Sequence, residues 1–130
     1  MIAGIGIDLC QIERIRGAIE RPRFLERVYT PAERERILGA GALRRSEIAA
    51  GLFAAKEAVA KALGTGFSGF FADAVEILPD ALGRPTCVLH GKALERAAAL
   101  CGPDYRILVS VTHEAGMAAA VAILEKAAGE

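Results

Sequence analysis

Ser46-Glu47-Ile48-Ala49-Ala50-Gly51-Leu52-Phe53-Ala54-Ala55-Lys56-Glu57-Ala58-Val59-Ala60-Lys61-Ala62-Leu63-Gly64 reads as one long helix, with the rest of the chain arranged around it. Ser46 suits the N-cap and Gly64 the C-terminal stop. Ile48, Leu52, Ala55, Val59 and Leu63 form a core stripe. Phe53, Glu57 and Lys61 recur at spacing four on an adjacent face. Alanines 54, 55, 58 and 60 leave the helix surface bare around these charges, so the spacing predicts that a bulky ligand can approach the backbone there.

Outward from this helix, residues 2–9 alternate at Ile5, Ile7 and Leu9 and predict a strand that delivers Asp8 to the edge of the core. Residues 11–20 place Ile12, Ile15 and Ile19 on one helical face, with Pro22 ending the helix and a short segment around Phe24, Leu25 and Val28 following. Thr30-Pro31-Ala32-Glu33 has the pattern of a capping box, and Gly39 and Gly41 close the helix it opens. Gly64 to Gly69 reads as a flexible loop. Residues 73–78 and 86–90 predict a hairpin with Val75, Ile77 and Val88 inward, joined across Pro79 to Pro85 with Gly83 as the turn residue. An Ala-rich helix over 91–101 precedes two strands, 105–112 and 117–124, with His113 to Gly116 as their turn. Strict βαβ alternation is absent, which favours an α+β fold, a mainly antiparallel sheet packed with helices, in one domain over 1–130.

The chain has 130 residues, 53% hydrophobic and 25% charged, with a formal net charge of zero. That balance argues for a packed core and against disorder, and it implies no global pull toward nucleic acid or membrane. No apolar run approaches the roughly 20 residues of a membrane span, and Met1-Ile2-Ala3-Gly4 lacks the basic start of a signal peptide. Cys10, Cys87 and Cys101 share no CxxC spacing and read as reduced thiols of a cytoplasmic protein. With these cysteines scattered and His90 distant from His113, no zinc or iron–sulfur site can be assembled.

The chemistry lies in Asp8, Glu57 and Lys61. Two carboxylates and an ammonium are the parts needed to hold Mg²⁺ and steady a transferring phosphoryl group. Each also has an ordinary use: Asp8 can cap the following helix, and Glu57 with Lys61 can form a surface i,i+4 pair. The Gly64-Thr65-Gly66 loop is no Walker A sequence, since it follows a helix and lacks the Gly-Lys-Ser/Thr ending. Arg14, Arg16, Arg21, Arg23 and Arg27, with Arg44 and Arg45, make either a mixed solvated surface or a local patch for an acidic protein or a nucleotide phosphate.

Four segments in order resemble the 4′-phosphopantetheinyl transferase family, in its short holo-[acyl-carrier-protein] synthase type. They are Gly4-Ile5-Gly6-Ile7-Asp8 with Arg14-Ile15; Phe53-Ala54-Ala55-Lys56-Glu57-Ala58 with Lys61 and Gly64-Thr65-Gly66; Gly83-Arg84-Pro85; and Ser110-Val111-Thr112-His113. The resemblance implies that coenzyme A donates its 4′-phosphopantetheine arm to a serine of apo-acyl carrier protein, giving the holo carrier and 3′,5′-ADP, for fatty acid biosynthesis. Asp8 and Glu57 would hold Mg²⁺ (Mn²⁺ also suits oxygen ligands). Glu57 or a water on the metal would take the serine proton, and Lys61 would stabilise the phosphate charge. Arg44, Arg45, Gly64, Gly83, Arg84, Pro85 and His113 fall where the family places the nucleotide of coenzyme A. Arg14, Arg21, Arg23 and Phe24 fall where it grips the carrier protein. Two positions depart: Leu52 stands where the family often has Arg, and Arg84 replaces the commoner Lys. The family type also implies a homotrimer with active sites between protomers and one half of the double-length relatives. A Mg²⁺-dependent hydrolase of coenzyme A or a nucleotide diphosphate, and a non-catalytic carrier-protein binding module, are the alternatives for the same residues.

Overall fold

In the computed structural model, which describes residues 1–127, the order is β1 (Ile2–Gln11), α1 (Ile12–Ala18), α2 (Pro22–Val28), α3 (Pro31–Leu38) and α4 (Ala42–Ala62), then β2 (Val75–Pro79), β3 (Pro85–Leu89), α5 (Gly91–Cys101), β4 (Tyr105–Glu114) and β5 (Met117–Lys126). The strands form two antiparallel sheets, one in the order β1-β5-β4 and one of β2-β3. The α+β expectation with one long central helix therefore holds. No described helix is long and apolar enough to cross a membrane.

Helix α4 starts four residues before the predicted Ser46. Gly41 is its N-cap, and Ser46 lies inside the helix, its hydroxyl donating to the Ala42 carbonyl at 3.4 Å. The helix is packed on nearly every side: Ala49, Ala50, Gly51, Leu52, Ala54, Ala55, Lys56, Ala58, Val59 and Ala60 are all buried. Along its last three turns, Phe53 and Glu57 are half-buried and Lys61 is exposed, so the spacing-four face is the open one.

Strand β1 lies across α4 with an inverted pattern. Ile5, Ile7 and Leu9 point outward, 66%, 69% and 63% exposed. Gly4, Gly6, Asp8 and Cys10 face the helix, opposite the inward Leu124, Ala122, Ala120 and Ala118 of β5. The reason is backbone distance. A Cβ on Gly4 would sit 1.9 Å from the Ala62 carbonyl oxygen, and one on Gly6 1.8 Å from that of Ala58. The small residues of α4 thus admit a strand, not the ligand that their bareness suggested.

Elsewhere local signals hold with shifts at the ends. The capping box is complete: the Thr30 side chain accepts from the Glu33 amide, and Glu33 accepts from the Thr30 amide. Pro22 opens α2 at its first turn, and α1 has already ended at Ala18. In the β2-β3 hairpin Val75 and Ile77 face inward as expected, but Val88 is 50% exposed. Pairing of Ile77 with Cys87 and of Val75 with Leu89 turns those two β3 residues to the core and Val88 away. His113 and Glu114 belong to β4, and the turn is Ala115-Gly116, both with positive φ (52° and 78°).

A buried ion pair fastens α3, α4 and β2 together. Lys56 Nζ lies 2.7 Å from Glu33 Oε1, both side chains almost wholly enclosed. Glu33 also accepts from the amides of Thr30 (2.8 Å) and Ile77 (2.7 Å). Lys56 donates to the carbonyls of Ala72 (3.1 Å) and Val75. Burial pushes the Lys56 ammonium below its ordinary pKa, and the Glu33 carboxylate opposes that shift. Every polar atom of this centre depends on the others, so losing one partner strands a charge.

Two stability outcomes follow. Gly6→Ala forces β1 off α4 and should cost about 3 kcal/mol, lowering the thermal midpoint by roughly 10 °C. Lys56→Met leaves Glu33 buried without its cation and should cost about 3–5 kcal/mol, read as a lower urea midpoint; a change under about 1 kcal/mol would show that the pair does not hold the fold.

Candidate active site

The crossing of β1 over α4 creates the site. The two segments run antiparallel, with Gly4 against Ala62, Gly6 against Ala58, and the Cys10 thiol donating to the Ala50 carbonyl at 3.5 Å. Asp8 lies between these contacts and meets the open face of α4. Lys61 reaches back over β1, its ammonium donating to the Ile7 carbonyl at 2.9 Å and to Asp8 Oδ1 at 3.3 Å. The Asp8 side chain is 17% exposed and that of Lys61 50%. Glu57 is half-buried beside them. Burial raises its pKa first and the Asp8 charge raises it further, against the opposing pull of Lys61 and Arg14. The residues read from sequence as one centre, Asp8, Glu57 and Lys61, are brought together, with Arg14 close enough for its charge to reach Glu57.

The donor set suits a hard divalent cation. Two carboxylates of like charge face one another, which a cation between them would relieve. Among the described residues no group of three or more His, Cys, Asp or Glu gathers for a metal. Asp8 and Glu57 would therefore supply two of the six or so oxygens, leaving positions for phosphate oxygens and water, as Mg²⁺ prefers.

A cleft of about 180 Å³ opens beside the N-terminal half of α4. Ile48, Gly51, Leu52, Ile77 and Val111 make an apolar floor, and Gly83 and Pro85 of the hairpin loop form one wall. Arg36, Arg44, Glu47 and His113 line it as well. Glu47 is shared, 3.9 Å from Arg44 and 3.6 Å from His113 Nδ1. Four of the expected nucleotide residues thus meet in one place: Arg44, Gly83, Pro85 and His113.

Three others do not line it. Arg45 turns to the end of α3, where its guanidinium donates to the carbonyls of Leu38 (2.9 Å) and Ala40 (3.3 Å). Arg84 is held in the hairpin turn by Asp80 at 3.2 Å. Gly64 lies beyond the far end of α4, near Arg96. Conversely Arg36 carried no sequence signal, because nothing local to α3 shows that its last turn borders this cleft. Of the residues expected to grip a partner protein, Arg14, Arg21 and Arg23 are exposed. Phe24 is part of the core wall, stacked on Phe53 at 6.1 Å and edge-on to Tyr29 at 6.1 Å, with Arg21 over its outer side at 5.9 Å.

This fold, with a carboxylate from a first strand meeting a carboxylate and a lysine on a central helix, belongs to phosphopantetheinyl transfer. The model of the 4′-phosphopantetheinyl transferase superfamily matches residues 4–112, and the chain is a member of that family. It is 50% identical over 128 residues to the holo-[acyl-carrier-protein] synthase of Solidesulfovibrio magneticus, covering 96% of this chain and 99% of the relative. It resembles the holo-(acyl-carrier-protein) synthase of Bacillus anthracis, solved in complex with CoA (3′,5′-ADP), with a TM-score of 0.82 and 32% identity over 98% of this chain and 99% of the other. The Helicobacter pylori holo-[acyl-carrier-protein] synthase, solved in complex with coenzyme A, matches with a TM-score of 0.75 and 30% identity over 93% of this chain and 99% of the other.

Proposed function

We infer that the protein is a holo-[acyl-carrier-protein] synthase, which moves the 4′-phosphopantetheine group of coenzyme A to a serine hydroxyl of apo-acyl carrier protein. The observation that carries this reading is the meeting of Asp8, Glu57 and Lys61 where β1 crosses α4. In the reaction the serine oxygen bonds to the β-phosphorus of coenzyme A, and the bond from that phosphorus to the bridging oxygen breaks, releasing 3′,5′-ADP. Asp8 and Glu57 would hold a divalent cation, Mg²⁺ or Mn²⁺, which would supply charge neutralisation for the diphosphate. Lys61 holds its ammonium over Asp8 and is placed to meet charge on the departing phosphate. Glu57, or a water beside it, would take the serine proton. Arg14, Arg21 and Arg23 present exposed positive charge, suited to the acidic surface of a carrier protein.

The outer face of the three-stranded sheet supports self-association, and the family resemblance makes the proposed assembly a homotrimer with active sites between protomers. Ile5 pairs with Ile123 and that with Leu108; Ile7 pairs with Val121. These rows share the face on which Ile5, Ile7 and Leu9 are exposed, an apolar surface of the kind that copies of a chain cover. The same reading places the enzyme in the cytoplasm and in fatty acid biosynthesis, in keeping with three cysteines present as free thiols.

Mass spectrometry of apo-acyl carrier protein incubated with coenzyme A, Mg²⁺ and the enzyme should show the gain of one phosphopantetheine group. Release of 3′,5′-ADP without carrier protein would point instead to a hydrolase, and carrier binding without coenzyme A affinity to a binding module. Glu57→Gln should lower turnover at least about 100-fold while the thermal midpoint holds; unchanged turnover removes Glu57 from the mechanism. Ile7→Glu should convert a trimer, by light scattering after gel filtration, to monomers, whereas a wild-type monomer would refute the assembly.

A further inference from the structure

Arg36, in the last turn of α3, lines the apolar cleft with Arg44, yet lies outside every segment that carries the family resemblance. It is half-buried, and among the described residues no carboxylate forms an ion pair with it. The nearby acid, Glu47, is already shared between Arg44 and His113. Burial, and then the like charge of Arg44, lower the pKa of Arg36, against a smaller opposing pull from Glu33. Two guanidiniums at one cleft, with Glu47 as the acid that lines it beside them and already shared with His113, leave positive charge to seat a dianion. The other candidate cations are absent from the cleft: Arg45 is occupied by the carbonyls at the end of α3, and position 52, at the floor, is an uncharged leucine.

We propose that Arg36 is a specificity-determining residue, which with Arg44 seats a phosphate monoester at the nucleotide end of the donor. The proposal rests on the reading of coenzyme A as donor. The diphosphate belongs at Asp8, Glu57 and Lys61, and the remaining phosphate of coenzyme A is the monoester on the ribose 3′-oxygen. An adenine with its ribose suits the flat apolar floor and the glycine–proline wall, and the monoester then falls to the cationic rim. Discrimination between coenzyme A and its dephosphorylated form therefore depends on α3, through Arg36, as well as on α4.

Binding of 3′,5′-ADP and of 5′-AMP to the full chain tests this by calorimetry, using wild type, Arg36→Gln and Arg36→Lys, each checked for an unchanged melting temperature. Arg36→Gln should weaken 3′,5′-ADP about tenfold and 5′-AMP less than about twofold, and Arg36→Lys should recover part of the loss. In turnover, KM for coenzyme A should rise about tenfold in Arg36→Gln, with little change for dephospho-coenzyme A. Equal weakening of both nucleotides, or of neither, overturns the proposal. A protein that transfers nothing to carrier protein yet shows the selective loss would refute the proposed reaction and leave the role of Arg36 standing.

Discussion

The contact of the β1 backbone with the α4 backbone is the constraint on which the rest of this structure depends. Gly4 and Gly6 allow the strand to lie directly on the carbonyls of Ala62 and Ala58. With ordinary side chains between them, the strand would stand farther from the helix, and a short Asp side chain would be drawn away from Glu57. Close approach makes Asp8 a neighbour of Glu57 and lets Lys61 reach both the Ile7 carbonyl and Asp8. It also explains why alanine fills so much of α4. The inward surface of that helix must be shallow, and β5 matches it with Ala118, Ala120 and Ala122, all buried.

The same geometry sets the outer face of the molecule. Once the even-numbered positions of β1 are committed to the helix, strand alternation sends Ile5, Ile7 and Leu9 to the opposite side. An apolar strand therefore buries its smallest residues within the protomer and exposes its largest ones. The placement of Asp8 and the exposed apolar face are thus two results of one packing decision.

The Glu33–Lys56 pair links that centre to the apolar cleft. Lys56 precedes Glu57 on α4, and Glu33 holds the amide of Ile77, a residue of the cleft floor. The pair ties the first turn of α3 to α4, and the last turn of the same short helix carries Arg36. A charged residue inside the Phe53–Ala58 run is easily taken for part of the chemistry. Lys56 is wholly buried and supports the walls instead.

The sequence by itself determined the elements and the chemistry they carry. The presence of the central helix, the Thr30–Glu33 capping box, the hairpin turn at Gly83, the open face of Phe53, Glu57 and Lys61, and the family resemblance are all written in local spacing. Local spacing encodes them because helix periodicity, caps and turns are made by hydrogen bonds among residues close in the chain. Only the tertiary structure decided which side of β1 faces inward, that Val88 points out, that Arg45 is drawn to α3 while Arg36 borders the cleft, and that Gly64 and Arg84 lie off it. Those outcomes depend on backbone separations and strand register between segments remote in the chain. A glycine that permits a close approach looks the same in sequence as a glycine that makes a turn, until the helix carbonyl opposite it is known.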